Sequence, residues 1–272
     1  MKHSEIALVI NLSGGKDSQY MLEVLCDLYP DVEKHVVYAD TGFEHVNPVS
    51  AEEWARQHAA KHGLVLHAVR NPNKTYLEMV ETRGMFPGAG TRQCTSDLKR
   101  GPIQTWTRQA VRSGLITKKI IVNCIGIRAA ESPQRAKQKP LKRDRVMSKN
   151  GRIVWNWMPI FKATLTDVLH GLWRRGVALH PVYIPAYHMD GTKGGYLRRL
   201  ACRVCIFSTD ADIRAIYEHD RAAFDAVSEL EQRIDFTMKN GKSLVQIMAA
   251  TPTDTKQYGS EELIDQPDQP CM

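Results

Sequence analysis

Two groups of residues have the types and spacing that do chemistry. The first is the run Ser13-Gly14-Gly15-Lys16-Asp17-Ser18. It lies between an apolar stretch at residues 6–12 and a helical pattern with Met21, Leu22, Val24, Leu25 and Leu28 on one side. Glycines let the backbone turn tightly and approach a ligand without a Cβ in the way. The helix start that follows offers free N–H groups and the positive end of the helix dipole, a setting for phosphate. Lys16 adds a charge for phosphate oxygens, and Ser13 and Ser18 add hydroxyls. Asp17 would repel phosphate, so it reads as a helix cap or as the holder of a magnesium ion. The spacing of a Walker A loop is absent.

The second group is the cysteines. Cys202-Arg203-Val204-Cys205 places two thiols at a spacing that binds one metal ion or one iron–sulfur cluster. Cys94 lies in Thr91-Arg92-Gln93-Cys94-Thr95, just before a helical pattern, where a helix start lowers a thiol pKa. Cys124 is a candidate fourth ligand, its alternative being a small buried hydrophobe in a strand. A zinc site completed by His180 or His188 is the metal alternative to a cluster. A metal-free redox pair is less favoured, because such motifs open a helix after a strand. Cys26 falls on the apolar side of a helix and needs no function.

These residues must be positioned by regular elements. Strand patterns occur at residues 6–12, 35–39, 64–69 and 119–127. Helical patterns occur at 48–62, 75–82 and 97–112. Strands alternating with helices imply a parallel sheet covered on both faces, a doubly wound Rossmann-like α/β layer. Residues 84–91 are rich in Gly and Pro and read as loop. Residues 126–152 are polar and basic with little periodicity and read as a mobile loop. The alternation of Val154, Trp155, Trp157 and Ile160 reads as strand core. Thr164 and Asp167 form a capping-box pattern opening a helix that ends near Gly176, Thr209 and Asp212 offer a similar start, and residues 221–239 read as one long helix. The expected organisation is a nucleotide-binding α/β domain at 1–160, a mainly helical region carrying Cys202 and Cys205 at 161–250, and a poorly ordered polar tail at 251–272.

Composition narrows the setting. The chain has 272 residues, 43% hydrophobic and 25% charged, which is ordinary for a globular protein. No apolar run approaches the roughly 18 residues that span a bilayer. Met1-Lys2-His3-Ser4-Glu5 leads into the first strand without the segments of a signal peptide, so a cytoplasmic location is expected, and with it six cysteines that do not build a disulfide framework. The net charge of +7 favours anionic partners, nucleotides first, and leaves nucleic acid open.

The order of motifs resembles the PP-loop ATP pyrophosphatase superfamily, whose SGGxDS turn matches residues 13–18. Asp40-Thr41-Gly42 looks like the DTG element of its phosphoadenosine phosphosulfate (PAPS) reductase-like branch. Gly126-Ile127-Arg128 with Glu131, Ser132 and Arg135 looks like the branch's G-I-R-x-x-E-S-x-x-R element. Trp157-Met158-Pro159-Ile160, Thr166-Asp167-Val168 and His180-Pro181-Val182-Tyr183 are similar to further branch segments. The resemblance spans residues 8–207 and implies an adenine nucleotide alpha hydrolase-like fold with ligands at the carboxyl ends of the strands. It implies binding of ATP, PAPS or adenylyl sulfate through Ser13, Gly14, Gly15, Lys16, Asp17, Ser18, Asp40, Thr41, Gly42, Gly126, Arg128 and Arg135. Lys16, Asp17, Asp40 and Arg128 would act in catalysis. Many members hold a 4Fe-4S cluster with cysteines at the places of Cys94, Cys202 and Cys205, Cys124 being the candidate fourth. Three thiols with an open iron would suit sulfur transfer.

The resemblance implies one of two activities. One is ATP- and Mg2+-dependent adenylation coupled to sulfur transfer, as in DNA phosphorothioation and tRNA thiolation members. Its partners would be a sulfur donor such as a cysteine desulfurase or thioredoxin, and a nucleic-acid acceptor. The other is reduction of PAPS or adenylyl sulfate. The reductases use a C-terminal Glu-Cys-Gly-Leu/Ile-His segment that does not occur in these residues, and Cys271 stands in a different local pattern. A homodimer is compatible with either, and a non-catalytic nucleotide- or nucleic-acid-binding module is the third reading. Lys137, Lys139, Lys142, Arg143, Arg145 and Lys149 against the single acid Asp144 make a basic segment. It reads either as a contact for RNA or DNA, with Trp155 and Trp157 near enough to stack bases, or as a solvated loop over the nucleotide.

Overall fold

The computed structural model describes residues 3–250 except 89, 190, 192, 201 and 240. The expected tail at 251–272, Cys271 included, lies outside the described residues.

A six-stranded sheet forms the centre, in the order β3-β2-β1-β4-β6-β5. Its strands are β1 (Ile6–Asn11), β2 (Glu33–Asp40), β3 (Leu66–Arg70), β4 (Ile120–Cys124), β5 (Leu141–Arg143) and β6 (Ile153–Trp157). Every pairing is parallel except β5 with β6. The helices are α1 (Lys16–Leu28), α2 (Ala51–Ala60), α3 (Tyr76–Arg83), α4 (Gly101–Arg112), α5 (Pro133–Ala136), α6 (Leu165–Trp173), α7 (Asp210–His219), α8 (Arg221–Ile234) and α9 (Leu244–Ala249). The α/β Rossmann-like layer read from the sequence is therefore present, with helices following it. Among the described residues no helix is long and apolar enough to cross a membrane.

Strand alternation sorts the core into two layers. Leu8, Ile10 and Leu12 pack with Met21, Leu22 and Leu25 of α1 and with Ala51, Ala55 and Ala59 of α2. Ala7 and Val9 face the opposite way, with Val37, Ile121, Val154 and Ala110 of α4. A third cluster joins Tyr76, Met79 and Val80 of α3 to Ile213, Ile216, Phe224, Val227 and Leu230 of α7 and α8, with Phe43, Leu98 and Val204 between them.

Three local expectations change. Residues 126–152 are not all loop: residues 141–143 pair antiparallel with β6, Leu141 opposite Trp157 and Arg143 opposite Trp155. Asp144 causes the return. Its Oδ1 accepts the N–H groups of Val146 and Met147, and its Oδ2 accepts from Gln104 and Asn156. The long helix at 221–239 stops at Ile234, where Asp235 adopts a left-handed conformation (φ 48°). Beyond it the buried Glu231 carboxylate accepts the N–H groups of Met238 (2.7 Å) and Leu244 (2.8 Å), folding the chain back. The helix expected at 97–112 is preceded by a π-helical segment, Cys94–Arg100, so Cys94 lies inside helical structure rather than ahead of it.

Residues after 160 seat directly on the earlier ones. Asp220 caps α8 and forms a two-pronged pair with Arg203, its Oδ2 accepting from Nε at 2.8 Å and its Oδ1 from Nη2 at 2.5 Å. Asp220 is 5% exposed, and Arg203 sits between the two cysteines of the C-x-x-C turn. Removing one partner of such a pair leaves the other charge buried and unpaired. Asp220→Ala is expected to lower unfolding stability by about 3 kcal/mol, read as a lower denaturant midpoint at unchanged slope.

Candidate active site at the strand ends

The strand order reverses between β1 and β4, and in open α/β sheets the ligand crevice opens at that reversal, outside the carboxyl ends. The 13–18 turn leaves β1 at this point. Gly14 has φ +78°, and a Cβ there would lie 2.7 Å from the Ala51 carbonyl oxygen at the start of α2. Gly126 leaves β4 beside it, and a Cβ there would lie 3.2 Å from Ser18 N and Cα. Gly14 is thus required by close backbone approach, and at Gly126 a side chain would be tight against the Ser18 backbone. Ser18 Oγ accepts the Ser13 N–H (3.1 Å) and donates to Gly15 O (2.8 Å), closing the turn on itself. The α1 start carries no side-chain cap, so Asp17 does not act as one. The Lys16 N–H instead donates to the Tyr183 hydroxyl at 3.0 Å.

Lys16 is 5% exposed. Its ammonium donates to Arg198 O (3.3 Å) and lies about over the Tyr183 and Tyr187 rings, 5.0 and 5.3 Å from their centres. Burial pushes its pKa below the ordinary lysine value, with Asp17, 3.8 Å away, opposing. Asp17 Oδ1 accepts from Arg128 Nε at 2.5 Å. Arg128 is itself buried, and its N–H donates to Glu131 Oε2 (2.9 Å), which also pairs with Arg135. The two arginines expected to hold phosphate or sulfate are thus each anchored by an acid: Arg128 by Asp17, Arg135 by Glu131. Asp40 plays a comparable part at the end of β2. Its Oδ1 accepts the Gly42 N–H (2.7 Å), and its Oδ2 accepts from Arg70.

Thr41 connects this crevice to the cysteines. Its Oγ1 donates to Glu44 Oε1 (2.9 Å) and lies 3.8 Å from Cys202 Sγ. Cys202 Sγ is in turn 3.8 Å from Glu44 Oε1, which Lys99 approaches at 3.4 Å. Glu44 and Cys202 also form a backbone bridge. Burial raises the Cys202 and Cys94 thiol pKa values. The Tyr76 hydroxyl is buried without a hydrogen-bond partner. Burial raises its pKa, helped by the charges of Cys202, Cys205 and Cys94, and Cys94 and Cys202 pack against the cluster that holds it. Cys124 is not brought to them: it is fully buried in the cluster under α1, and burial alone raises its pKa. His180 is also spoken for, with Nε2 on Val49 O (3.0 Å) and Nδ1 accepting the Val182 N–H (3.1 Å). His188 Nε2 lies 3.1 Å from Tyr183 O. Tyr76, Glu44 and Lys99 are candidate site residues that sequence reasoning missed, since nothing in their local spacing points to Cys202, more than a hundred residues away.

The Cys94 segment is pinned by Asp97, which accepts from Lys74 (2.7 Å), Ser96 (2.8 Å) and Gln93 (3.1 Å). The Lys74 and Ser96 bonds hold its carboxyl at about 2 against an ordinary 3.8. A lowered carboxyl pKa contributes stability that is complete above the ordinary value and is lost as pH falls through the folded one. Asp97→Asn is expected to be less stable than the natural protein at neutral pH, by about 1 kcal/mol for this partly exposed pair. The two melting temperatures should converge near pH 2, a comparison made by scanning calorimetry.

Among curated proteins none matches the chain. A solved structure, the U34-tRNA thiolase NcsA from Methanococcus maripaludis with its 4Fe-4S cluster, is similar to it at 14% identity and a TM-score of 0.45, covering 85% of this chain and 73% of that one. The family model of the phosphoadenosine phosphosulfate reductase domain matches residues 7–192, from β1 through the Tyr183 segment. That stretch holds the 13–18 turn, the Asp40 loop and the Arg128 element, and on this match the chain belongs to the phosphoadenosine phosphosulfate reductase domain family.

Proposed function

We propose that this protein is a PP-loop enzyme that binds ATP at the 13–18 turn, adenylates an oxygen of an acceptor, and replaces that oxygen with sulfur. A 4Fe-4S cluster held by Cys94, Cys202 and Cys205 assists. The observation that carries this reading is the packing of Cys94 and Cys202 against the cluster that holds Tyr76, whose buried hydroxyl has no partner, with Cys202 3.8 Å from Thr41 at the end of β2. A buried donor without an acceptor suits a sulfur-rich group placed against it. The cluster, when bound, supplies an iron without a protein ligand, open to sulfur.

The chain's own residues do the rest. The acceptor oxygen attacks the α-phosphorus, the bond to the β-phosphate oxygen breaks, and pyrophosphate leaves into the 13–18 turn. There the Lys16 ammonium and the N–H groups of the helix start meet the charge that develops. Asp17 is already engaged by Lys16 and Arg128, so Mg2+ enters on the nucleotide's phosphates. Asp40 holds the Thr41–Gly42 loop in place through the Gly42 N–H. A sulfur nucleophile then forms the bond to carbon and AMP departs with the oxygen. Lys137, Lys139, Lys142, Arg143, Arg145 and Lys149 are exposed and suit a nucleic-acid acceptor.

A second reading, reduction of PAPS or adenylyl sulfate to sulfite, is favoured by the description of the matching family. Anaerobically purified protein is expected to be brown and to release pyrophosphate from labelled ATP and Mg2+ when RNA or DNA is supplied. Lys16→Ala should slow that release by about 100-fold or more, and Cys202→Ser should bleach the colour. Sulfite from PAPS and thioredoxin would favour the second reading. Nucleotide binding without turnover would leave a binding module, and a colourless protein with zinc bound to sulfur would remove the cluster.

A further inference from the structure

About two turns along α1 from the phosphate turn lies a group of side chains that the chemistry above does not use. Glu23 of α1 places Oε1 2.7 Å from His62 Nε2 and 3.0 Å from His58 Nε2. His58 is on α2, and His62 follows it one turn later. Glu23 and His58 are almost fully buried, their side chains 8% and 3% exposed. The two imidazoles thus converge on one carboxylate oxygen, and the three ligand atoms lie within 4.8 Å of one another. Gln19, fully buried, stands behind His58. Its Nε2 donates to Ala178 O (3.1 Å) and lies 3.5 Å from His58 Nδ1, while its Oε1 has no partner. Gln19 Oε1 is thus an orphaned polar atom within this buried cluster.

We infer that Glu23, His58 and His62 form a binding site for a divalent transition ion, zinc by ligand type, that clips α1 to α2. Two imidazoles and one carboxylate are a zinc donor set, and the separations approach the about 3.3 Å that tetrahedral bonds of 2.0–2.1 Å imply. Binding through His58 Nε2 puts the ring proton on Nδ1, and the Gln19 amide beside it, which now presents Nε2, must turn to offer Oε1 and give up its bond to Ala178 O. A surface hollow lined by Cys26, Lys34, His62 and Leu64 leaves the His62 side open to solvent for entry and for a water ligand. The clip bears on the phosphate turn, because α1 begins there and the first carbonyl of α2 backs Gly14.

The test is zinc binding to the whole chain, stripped with chelator and titrated with zinc chloride. X-ray absorption then separates zinc bound by nitrogen and oxygen at about 2.0–2.1 Å from zinc bound by sulfur at about 2.3 Å. One nitrogen- and oxygen-bound zinc per chain is expected, with a zinc-dependent rise in melting temperature. His62→Ala, at the partly exposed ligand, and the isosteric Glu23→Gln should each weaken that binding at least tenfold and abolish the rise, while leaving any sulfur-bound zinc unchanged. Zinc found only on sulfur, no zinc bound, or nitrogen- and oxygen-bound zinc of unchanged affinity in a folded variant would overturn the site and leave a Glu–His contact alone.

Discussion

Everything in the candidate site depends on how closely β4 can pass the start of α1. At that crossing the Gly126 backbone lies against the backbone of Ser18, with room for a hydrogen and little more. The approach lets two strand exits that diverge in the sheet share one crevice. On one side stands the Ser13–Ser18 turn with Lys16, and on the other the loop carrying Arg128. The Asp17–Arg128 pair spans the gap, and Glu131 fixes both Arg128 and Arg135 from behind. The crevice is therefore lined by cations whose positions are set before any anion arrives. Such preorganisation is what stabilises charge in a reaction without reorganisation at the moment it develops.

The second dependency runs from the end of β2 to the cysteines. Thr41 touches both Glu44 and Cys202, and Lys99 answers the Glu44 charge. The nucleotide side and the thiol side are thus parts of one packed region. The C-x-x-C turn is held there from outside by Arg203 on Asp220, at the joint of α7 and α8. The helices after residue 160 serve the site by fixing this turn and by sending Tyr183 to the start of α1.

Much of this was legible in the sequence because it is local. The apolar runs of β1 and β4 mark strands buried on both faces. Thr164 and Thr209 sit where caps are needed, with an acid three residues on, and the structure forms both boxes. The edge strand β5 was not legible, since its three exposed residues have no pattern and owe their extension to pairing with β6. The end of α8 was hidden for a similar reason: the chain leaves the helix because Glu231 needs backbone donors from beyond it.

What the sequence determined by itself was the phosphate turn, since glycine, lysine and serine between a strand and a helix carry their chemistry in their order. It also marked Cys94, Cys202 and Cys205 as ligand types. The tertiary structure decided which residues meet. It packed Cys94 and Cys202 against the cluster of Tyr76 and left Cys124 in the core under α1. It spent both nitrogens of His180 on backbone, and it assigned Asp17 to Arg128 rather than to capping. The division has a physical cause. A backbone turn is set by neighbours in the chain, whereas a buried thiol, acid or imidazole takes its partner from whatever the packing of distant elements brings within reach.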